Sequence, residues 1–540
     1  MTRRELFVTA VALYLVSVVV RAAAASLVVF PIPEDTAYYV AVSQHLVQGR
    51  GLVADALWSY QTPPLVFPRP AFEVWLPLPS ILSAVPMALF GATFAAAQWM
   101  PVLVGALVPV LAWRIAADVA AERGLPVGRA RTLAIGTGLT CAVYLPLVLH
   151  STLPDSTMLF AVFALATCLL MTRLATRPPA SWADRRLLGL GALIGLAALT
   201  RNEALWIGLA WAAIAWTSIP GGRGSRLVTI VVPAIVAAVV FAPWAIRDWQ
   251  VFGNPLPGQA AANALSVTGF DIFAWQDPPT LARYLAVGPA RLLEMRVEGI
   301  GHNLFSVLLL PGAPLSLVGL AGLPLVVGLR SLRAVILVGG ITFLVTSLLF
   351  PVATTWGTFL HAAGPVHVLL VIAALLGLDR LIEAVGRRRS WTNPVAWLAP
   401  ALTVSGAVLF TAVLFPSFGG NSRGIEIRYQ ALTRQMAAAG MPLDSIGRVI
   451  TDFPIWLSEA TGVESLALPA ETPASVADLA ATLHARTLII SGDEHGGWPG
   501  VLDAHGPGAE CFVPVVIGLP ADPEAARQLA GTRVYRIVCP

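Results

Sequence analysis

The chain has 540 residues, of which 57% are hydrophobic and 12% are charged. A soluble globular domain carries about 25% charged residues, so this composition excludes a water-soluble protein with one core and indicates that lipid solvates most of the chain. The formal net charge of +4 does not indicate a nucleic-acid partner, and all 34 basic residues are arginine, which leaves no lysine for a catalytic role.

Apolar runs in chain order predict about eleven transmembrane helices, many of them near the roughly 20 residues that a bilayer requires. The first run follows Arg3 and Arg4 and is long for a signal peptide, so we interpret it as an uncleaved first helix. Two short runs flank Arg201-Asn202-Glu203, which indicates two short helices that meet at the membrane edge. The predicted spans are Leu6–Phe30, Phe94–Ala117, Thr132–His150, Thr157–Met171, Leu187–Thr200, Ala204–Ile219, Leu227–Ile246, Leu304–Leu329, Ala334–Phe350, Pro365–Leu378 and Val395–Phe415.

Arginine placement predicts the orientation of these spans. With the N-terminus in the cytoplasm, the inner loops hold most of the arginines, including the run Arg387–Arg389, whereas the longer outer segments hold few. A further apolar stretch, Trp75–Phe90, would reverse this bias if it spanned, so we expect it to lie at the outer surface. The predicted fold is a polytopic α-helical membrane protein with a transmembrane module at residues 1–415 and long outer loops at 31–93 and 247–303.

The segment 416–540 has a different character, because short β-type runs alternate there with helical stretches and predict an extracytoplasmic α/β domain. Its predicted strands and helices are Arg448–Thr451, Thr487–Ser491, Arg533–Val538, Ile425–Ala439 and Ser475–His484. Cys511 and Cys539 would lie in an oxidising compartment, where disulfides persist. Spacing alone leaves both a disulfide and two free thiols open.

Acidic residues on the predicted outer segments are candidates for catalysis. Glu34 and Asp35 stand at the N-terminal end of a predicted helix over Ala37–Gln48, where the helix dipole favours anionic side chains. Asp155 follows Pro154 on the turn after the third span. Each has a structural alternative as a helix cap, but carboxylates so near the hydrocarbon are costly, which favours a functional role.

Outer cations are candidates for binding a phosphate, because arginine gives bidentate contacts and keeps its charge. Arg69, Arg201 and Arg247 lie on outer segments, and His361 ends the turn that begins at Trp356. The structural alternative for each arginine is a side chain that snorkels to the interface. For His361 it is a satisfied residue at a helix end.

The order of these residues resembles the GT-C glycosyltransferases of the family 39 type, which include protein O-mannosyltransferases and the aminoarabinose transferase that modifies lipid A. The residues that carry the resemblance are Glu34-Asp35, Tyr38-Tyr39, Gly49-Arg50-Gly51, Pro68-Arg69-Pro70, Pro154-Asp155, Thr200-Arg201, Pro243-Trp244 with Arg247, and Gly357-Thr358-Phe359 with His361. The resemblance implies a GT-C fold and a glycosyltransferase that moves a sugar, with inversion, from a polyprenyl-phosphate donor to a glycan, lipid or protein acceptor.

The resemblance also implies roles for single residues. An acidic residue of the first outer loop is the general base, with Asp35 as the first choice and Glu34 as the alternative, while Asp155 helps to hold the acceptor or to position the first loop. The implied donor-phosphate and substrate contacts are Arg69, Arg201, Arg247, His361, Tyr38 and Tyr39. No cofactor is expected. Glu34, Asp35 and Asp155 could supply oxygen ligands to a divalent cation, as in some GT-C enzymes, but a metal ion is not expected, because the mannosyl- and aminoarabinosyl-type relatives are generally metal-independent.

Other classes of function stay open on the residues alone. A secondary transporter or lipid flippase is the main alternative, although transporters place ionisable residues near the bilayer midplane and often show repeated halves. A non-catalytic scaffold would need no convergence of carboxylates and arginines. In every case the lipid bilayer is a partner, and the expected location is the plasma membrane of a bacterium, with the C-terminal domain outside.

Overall fold

The computed structural model describes residues 2–179, 181–391, 395–492 and 495–539, and it is mostly helical. Met1 and Pro540, which belong to the two predicted domain ranges, lie outside the described residues. The helices of the membrane module are α1 (Arg3–Ala25), α2 (Glu34–Val47), α3 (Leu78–Phe90), α4 (Phe94–Ala97), α5 (Trp99–Gly105), α6 (Leu107–Glu122), α7 (Val127–Val143), α8 (Leu145–His150), α9 (Ser156–Thr176), α10 (Arg185–Ala198), α11 (Ala204–Ser218), α12 (Arg223–Phe252), α13 (Ala260–Leu265), α14 (Leu281–Ala286), α15 (Gly288–Gly301), α16 (Leu315–Gly322), α17 (Arg333–Leu349), α18 (Gly364–Arg388) and α19 (Leu398–Ala438).

By length and composition, six helical segments of the described chain can cross a membrane: Arg3–Ala25, Phe94–Glu122, Ser156–Thr176, Arg223–Phe252, Arg330–Leu349 and Leu398–Ala438. Large apolar side chains on these helices face outward, as Phe7 of α1 and Leu409 of α19 show with exposed fractions of 70% and 67%. Water would make such faces costly, whereas lipid tails do not. The prediction of a polytopic helical membrane protein is therefore confirmed, while the number of eleven spans stays a prediction.

The charged triplet after α10 separates two short helices, as predicted. The predicted runs Leu187–Thr200 and Ala204–Ile219 correspond to α10 and α11. The stretch after Trp75 also forms a helix of its own, α3, which contains Pro86. Its position at the membrane surface stays a prediction.

The predicted span Leu304–Leu329 is wrong as a single helix. A π-helical segment covers His302–Leu309, and α16 begins only at Leu315. Pro311 and Pro314 interrupt the run, because proline removes a backbone donor and clashes with the preceding helical turn. An apolar run alone does not report such a break.

The predicted span Thr132–His150 is likewise two helices, because the backbone is extended at Tyr144, with φ −77° and ψ 121°. Pro146 lacks an N–H, so the carbonyl of Ala142 loses its helical partner. The guanidinium of Arg21, fully buried in α1, donates to that carbonyl at 3.1 Å. A buried arginine thus satisfies the backbone at the break.

The C-terminal segment contains strands and helices. The strands of the chain are β1 (Val53–Ala54), β2 (Ala56–Leu57), β3 (Arg69–Pro70), β4 (Arg448–Thr451), β5 (Ser465–Ala467), β6 (Ala485–Ile490), β7 (Phe512–Val515) and β8 (Arg533–Ile537), and the helices of this segment are α20 (Pro454–Thr461), α21 (Pro473–Leu483), α22 (Gly500–Asp503) and α23 (Pro523–Leu529). Six strands form one mixed sheet in the order β2-β5-β4-β6-β8-β7. The strands β2, β5, β4 and β6 run parallel, and β8 and β7 are antiparallel to their neighbours. That these residues form a separate domain stays a prediction.

The first loop, residues 31–93, contributes an edge strand to this sheet. Ala56 pairs with Ser465 and Leu57 with Leu466 in parallel register. The helix α19 also runs without interruption through the predicted boundary at residue 415. The loop and the C-terminal domain therefore share one sheet.

The open question of the two C-terminal cysteines has an answer in the structure, because Cys511 and Cys539 form a disulfide across 28 residues. A loop of that length stabilises the fold by about 3–4 kcal/mol in the chain-entropy account. We expect the double variant Cys511→Ser/Cys539→Ser to unfold at a lower temperature in a detergent-based thermal scan. A reductant should lower the melting temperature of the wild type to the same value and leave the double variant unchanged. Equal melting temperatures for wild type and variant would contradict this role.

Candidate functional site

The first turn of α2 carries Asp35, whose carboxylate faces a histidine from a distant part of the chain. Asp35 Oδ2 lies 3.2 Å from Nε2 of His361, and the Asp35 side chain is 26% exposed whereas that of His361 is 5% exposed. The pair therefore has a buried histidine behind an accessible carboxylate. Such an arrangement suits a general base that a second group orients.

His361 also contacts the start of α9 through its other ring nitrogen. Nδ1 lies 2.6 Å from the hydroxyl of Thr157 and 3.9 Å from Oδ2 of Asp155. Asp155 caps α9, because its Oδ1 accepts the backbone N–H of Thr157 at 2.7 Å. Its Oδ2 is buried without a hydrogen-bond partner among the described residues, and burial raises the pKa of this carboxyl. The capping alternative is therefore correct, and one oxygen remains for another partner.

Arg201 joins this group from the turn between α10 and α11. Its guanidinium forms a bidentate ion pair with the carboxylate of Glu203, at 2.8 and 3.0 Å. It donates to the hydroxyl of Ser156 at 2.8 Å and to the carbonyl of Thr358 at 3.4 Å. Arg201 thus ties the start of α9 to the turn that carries His361.

The hydroxyl groups of the two adjacent tyrosines of α2 contact different parts of the chain. Burial raises the pKa of Tyr39, whose hydroxyl interacts with Ser156 near Arg201 and Asp35. The hydroxyl of Tyr38 accepts the backbone N–H of Phe72 at 2.7 Å. Both rings are 1% exposed, so both tyrosines are buried supports of the site.

Arg69 belongs to the cluster around Tyr38 and is not free to bind a ligand as it stands. It is 1% exposed, it donates to the carbonyls of Pro64 and Thr62, and its Nε lies 3.6 Å from Glu73. All of these partners lie within the first loop. The described contacts therefore do not bring Arg69 to Asp35.

Arg247 lies in the last turns of α12. It pairs with Asp248 at 2.9 Å and lies over the rings of Trp244 and Phe252, 4.7 and 5.2 Å from their centroids. Its charge also acts on Glu73 and Tyr38, which belong to the same cluster as Arg69. An apolar groove of about 380 Å³ along α12 is lined by Ala242, Ala245, Ile246, Trp249, Gln250 and Pro255, and Arg247 is not among its lining residues.

Glu34 points away from Asp35 and toward the C-terminal domain. Its Oε1 accepts the backbone N–H groups of Ile455 and Trp456, at 3.0 and 3.4 Å, in the first turn of α20. Burial raises the pKa of Glu34 to about 8, although the two hydrogen bonds lower it. The two adjacent carboxylates thus have different surroundings.

His150 is a site residue that sequence reasoning missed, although it precedes Asp155 on the same turn. Ligand atoms of His150, Asp155 and His361 all lie within 4.8 Å of one another. The Nδ1 atom of His150 is buried without a partner among the described residues. Two imidazoles and a carboxylate are a donor set that suits zinc. These residues could hold a divalent cation.

Arg21 contacts the same turn from α1. Sequence reasoning missed this residue too, because it lies within an apolar run. Its Nε donates to the hydroxyl of Ser151 at 2.9 Å, and Ser151 directly follows His150. Its other nitrogens donate to Ser17 and to the carbonyls of the helix break. The signal in the sequence is a single arginine inside an apolar run long enough to span a membrane, because such a charge is costly without partners.

Comparison with solved structures gives proteins of the same architecture. The chain is similar to ArnT from Cupriavidus metallidurans bound to undecaprenyl phosphate, with 14% identity, a TM-score of 0.53, and coverage of 99% of this chain and 98% of that chain. It is similar to the archaeal oligosaccharyltransferase AglB from Archaeoglobus fulgidus in complex with an inhibitory peptide and a dolichol-phosphate, with 13% identity, a TM-score of 0.55, and coverage of 96% and 74%.

A further structure of the Archaeoglobus fulgidus oligosaccharyltransferase, a complex with Zn and sulfate, is similar at 15% identity and a TM-score of 0.52, with coverage of 94% of this chain and 72% of that chain. No protein-family model matches the chain, and no curated protein matches it significantly. At such identities the likeness concerns the fold. The chain therefore has the GT-C fold of these membrane proteins.

Proposed function

We propose that the protein is an inverting glycosyltransferase that moves a sugar from a polyprenyl-phosphate donor to an acceptor at the outer face of the bacterial plasma membrane. The observation that carries the proposal is the convergence of Asp35, Asp155, Arg201 and His361, which come from separate segments, at one end of the helical bundle. Two proteins of the same fold were solved with undecaprenyl phosphate and with a dolichol-phosphate, which supports this class of donor.

Asp35 acts as the general base in this proposal. The acceptor hydroxyl gives its proton to Asp35 as its oxygen attacks the anomeric carbon, and the bond from that carbon to the phosphate oxygen breaks on the opposite face. Asp35 is the accessible carboxylate of the group, whereas the Asp155 side chain is fully buried. The contact with His361, whose Nε2 lies 3.2 Å from Asp35 Oδ2, holds the base in one orientation.

The leaving polyprenyl phosphate requires positive charge. We assign this role first to Arg247, because its side chain is 22% exposed and its guanidinium lies over the ring of Trp244 in the last turns of α12. Arg201 supplies charge nearer to Asp35, although Glu203 neutralises part of it. Arg69 and Tyr38 then act as supports, since their polar groups are used within the first loop, and Tyr39 acts as a support through its contact with Ser156.

A divalent cation fits the residues at the start of α9. Within the described part of the chain, His150 and Asp155 each present a buried atom without a hydrogen-bond partner, and His361 completes a three-ligand set. A cation bound there would supply Lewis-acid stabilisation of developing negative charge. The expectation of a metal-independent reaction remains a prediction.

The donor proposal is tested by the lipid that the protein retains during purification in mild detergent. We expect mass spectrometry to detect a polyprenyl phosphate or its sugar-linked form bound to the wild type. Arg247→Gln should lose most of it, because it removes the cation that we assign to the donor phosphate. Arg291→Gln is the matched control, since Arg291 forms exposed ion pairs with Glu294 and Glu298.

Retention of the lipid by Arg247→Gln at the wild-type level would contradict this donor site. The main alternative, a transporter or flippase, predicts a different outcome. Such a protein would move a labelled lipid across vesicle membranes without changing it chemically.

A further inference from the structure

The first turn of α2 carries two carboxylates that face different parts of the molecule. Asp35 faces His361, and Glu34 faces the first turn of α20 in the C-terminal domain. We infer that Glu34 is a positioning residue through which the C-terminal domain holds Asp35 in place. This inference rests on the proposed function and replaces the role of Glu34 as an alternative base.

The contact with Glu34 completes an otherwise uncapped helix. The first N–H groups of a helix lack partners within it, and the N-cap residue of α20, Phe453, offers no side-chain hydrogen bond. Glu34 Oε1 accepts the N–H groups of Ile455 and Trp456, which lie 421 and 422 residues away in sequence. Glu34, a residue of the first loop, therefore caps α20. A side chain next to the helix in sequence usually has this role.

Further hydrogen bonds tie α2 and its approach to the same helix. The indole of Trp456 donates to the carbonyl of Pro31 at 3.1 Å, just before α2 begins. The amide of Gln44 donates to Glu459 at 3.1 Å, near the end of α2. The contacts thus reach from one end of α2 to the other, and they restrict both its rotation and its translation.

The helical geometry carries this restriction to the base. Successive residues of an α-helix are about 100° apart around the axis, so adjacent carboxylates necessarily point to different neighbours. When Glu34 is held by α20, Asp35 is directed toward His361. A shift of about 1 Å in a reacting group can reduce a rate by about 10²-fold, so the docking of the domain controls the geometry of the base.

Glutamine at position 34 separates positioning from proton transfer. Its carbonyl oxygen can accept the same two N–H groups, and it resembles the neutral carboxyl that a raised pKa favours. Glutamine cannot act as a base. Glu34→Gln should therefore keep the contact and the transfer activity, whereas Glu34→Ala should lose the contact.

The test compares Glu34→Gln, Glu34→Ala and Asp35→Asn by hydrogen exchange, retained donor lipid and sugar transfer. In Glu34→Ala we expect faster amide exchange in the first turns of α20 and α2, donor lipid at the wild-type level, and transfer reduced by about 10–10²-fold. Glu34→Gln should match the wild type in all three. Asp35→Asn should keep the exchange pattern and the lipid but lose transfer.

Glu524→Ala is the control, because Glu524 is an exposed carboxylate in the first turn of α23 and its loss should change none of the three readouts. Loss of transfer in Glu34→Gln with normal exchange would overturn the inference and make Glu34 the base. Faster exchange in α20 of Glu34→Ala, with α2 unchanged, would show that the domain does not position α2. A wild type without transfer would refute the proposed function, while the exchange comparison would still decide on the positioning.

Discussion

Replacement of Asp35 by asparagine is expected to reduce sugar transfer by about 10²–10⁴-fold, the usual contribution of a general base. Asparagine keeps the size of the side chain but cannot accept the proton of the acceptor hydroxyl. Its amide can still contact Nε2 of His361, which lies 3.2 Å from the native carboxylate, so the local structure should persist. The measurement is transfer from a polyprenyl-phosphate sugar under single-turnover conditions.

The matched control for Asp35→Asn is Glu34→Gln, the same chemical change at the adjacent residue. We expect this control to stay within a few-fold of the wild type, because its contacts with α20 need only an oxygen acceptor. A normal rate in Asp35→Asn would refute the assignment of the base. Equal losses in both variants would show that charge near α2, and not proton transfer by Asp35, is what matters.

Replacement of Arg201 by glutamine is expected to destabilise the protein by about 3–5 kcal/mol, because it leaves a buried carboxylate without its cation. The side chains of Arg201 and Glu203 are 11% and 6% exposed. The arginine also joins Ser156 to the carbonyl of Thr358, so transfer should fall along with stability. Thermal unfolding in detergent measures the first effect.

A second variant distinguishes an unpaired charge from a lost packing contact. The double change Arg201→Gln/Glu203→Gln removes both charges and should regain much of the lost stability. Arg291→Gln removes one partner of exposed ion pairs with Glu294 and Glu298, and its effect should stay within about 1 kcal/mol. If Arg201→Gln were as mild as Arg291→Gln, the buried pair would not be a structural link of the site.

The parts of the site that could be predicted from sequence have local signals. Asp35, Asp155 and Arg201 are charged groups at the ends of apolar runs, where their cost indicates a use. The distribution of arginines predicts that these residues lie at one membrane face. In the structure they lie close together with His361. The break between α10 and α11 was visible for the same reason.

Other features depend on contacts that a local pattern does not contain. The partner of Glu34 lies 421 residues away, and the strand Ala56–Leu57 is too short to show a period. Arg69 was expected at a phosphate, but its neighbours Thr62 and Pro64 already accept its hydrogen bonds. These two hydrogen bonds form only when the loop is folded.

The helix breaks have a different cause. Each of the runs Leu304–Leu329 and Thr132–His150 is apolar throughout, and hydropathy alone predicts one span for each. The prolines within them were visible, yet proline also occurs inside α12 and α19 without ending those helices. A helix can break at a proline inside a membrane protein when another group satisfies the freed carbonyl. The guanidinium of Arg21 does so at Ala142.

The most direct measurement for the central proposal is the anomeric configuration of the sugar in the product of single-turnover transfer, determined by nuclear magnetic resonance. Attack by an acceptor that Asp35 deprotonates, in one displacement step, predicts release of polyprenyl phosphate and a glycosidic bond of configuration opposite to that of the donor. A product that retains the donor configuration, or turnover without release of polyprenyl phosphate, would contradict the proposal.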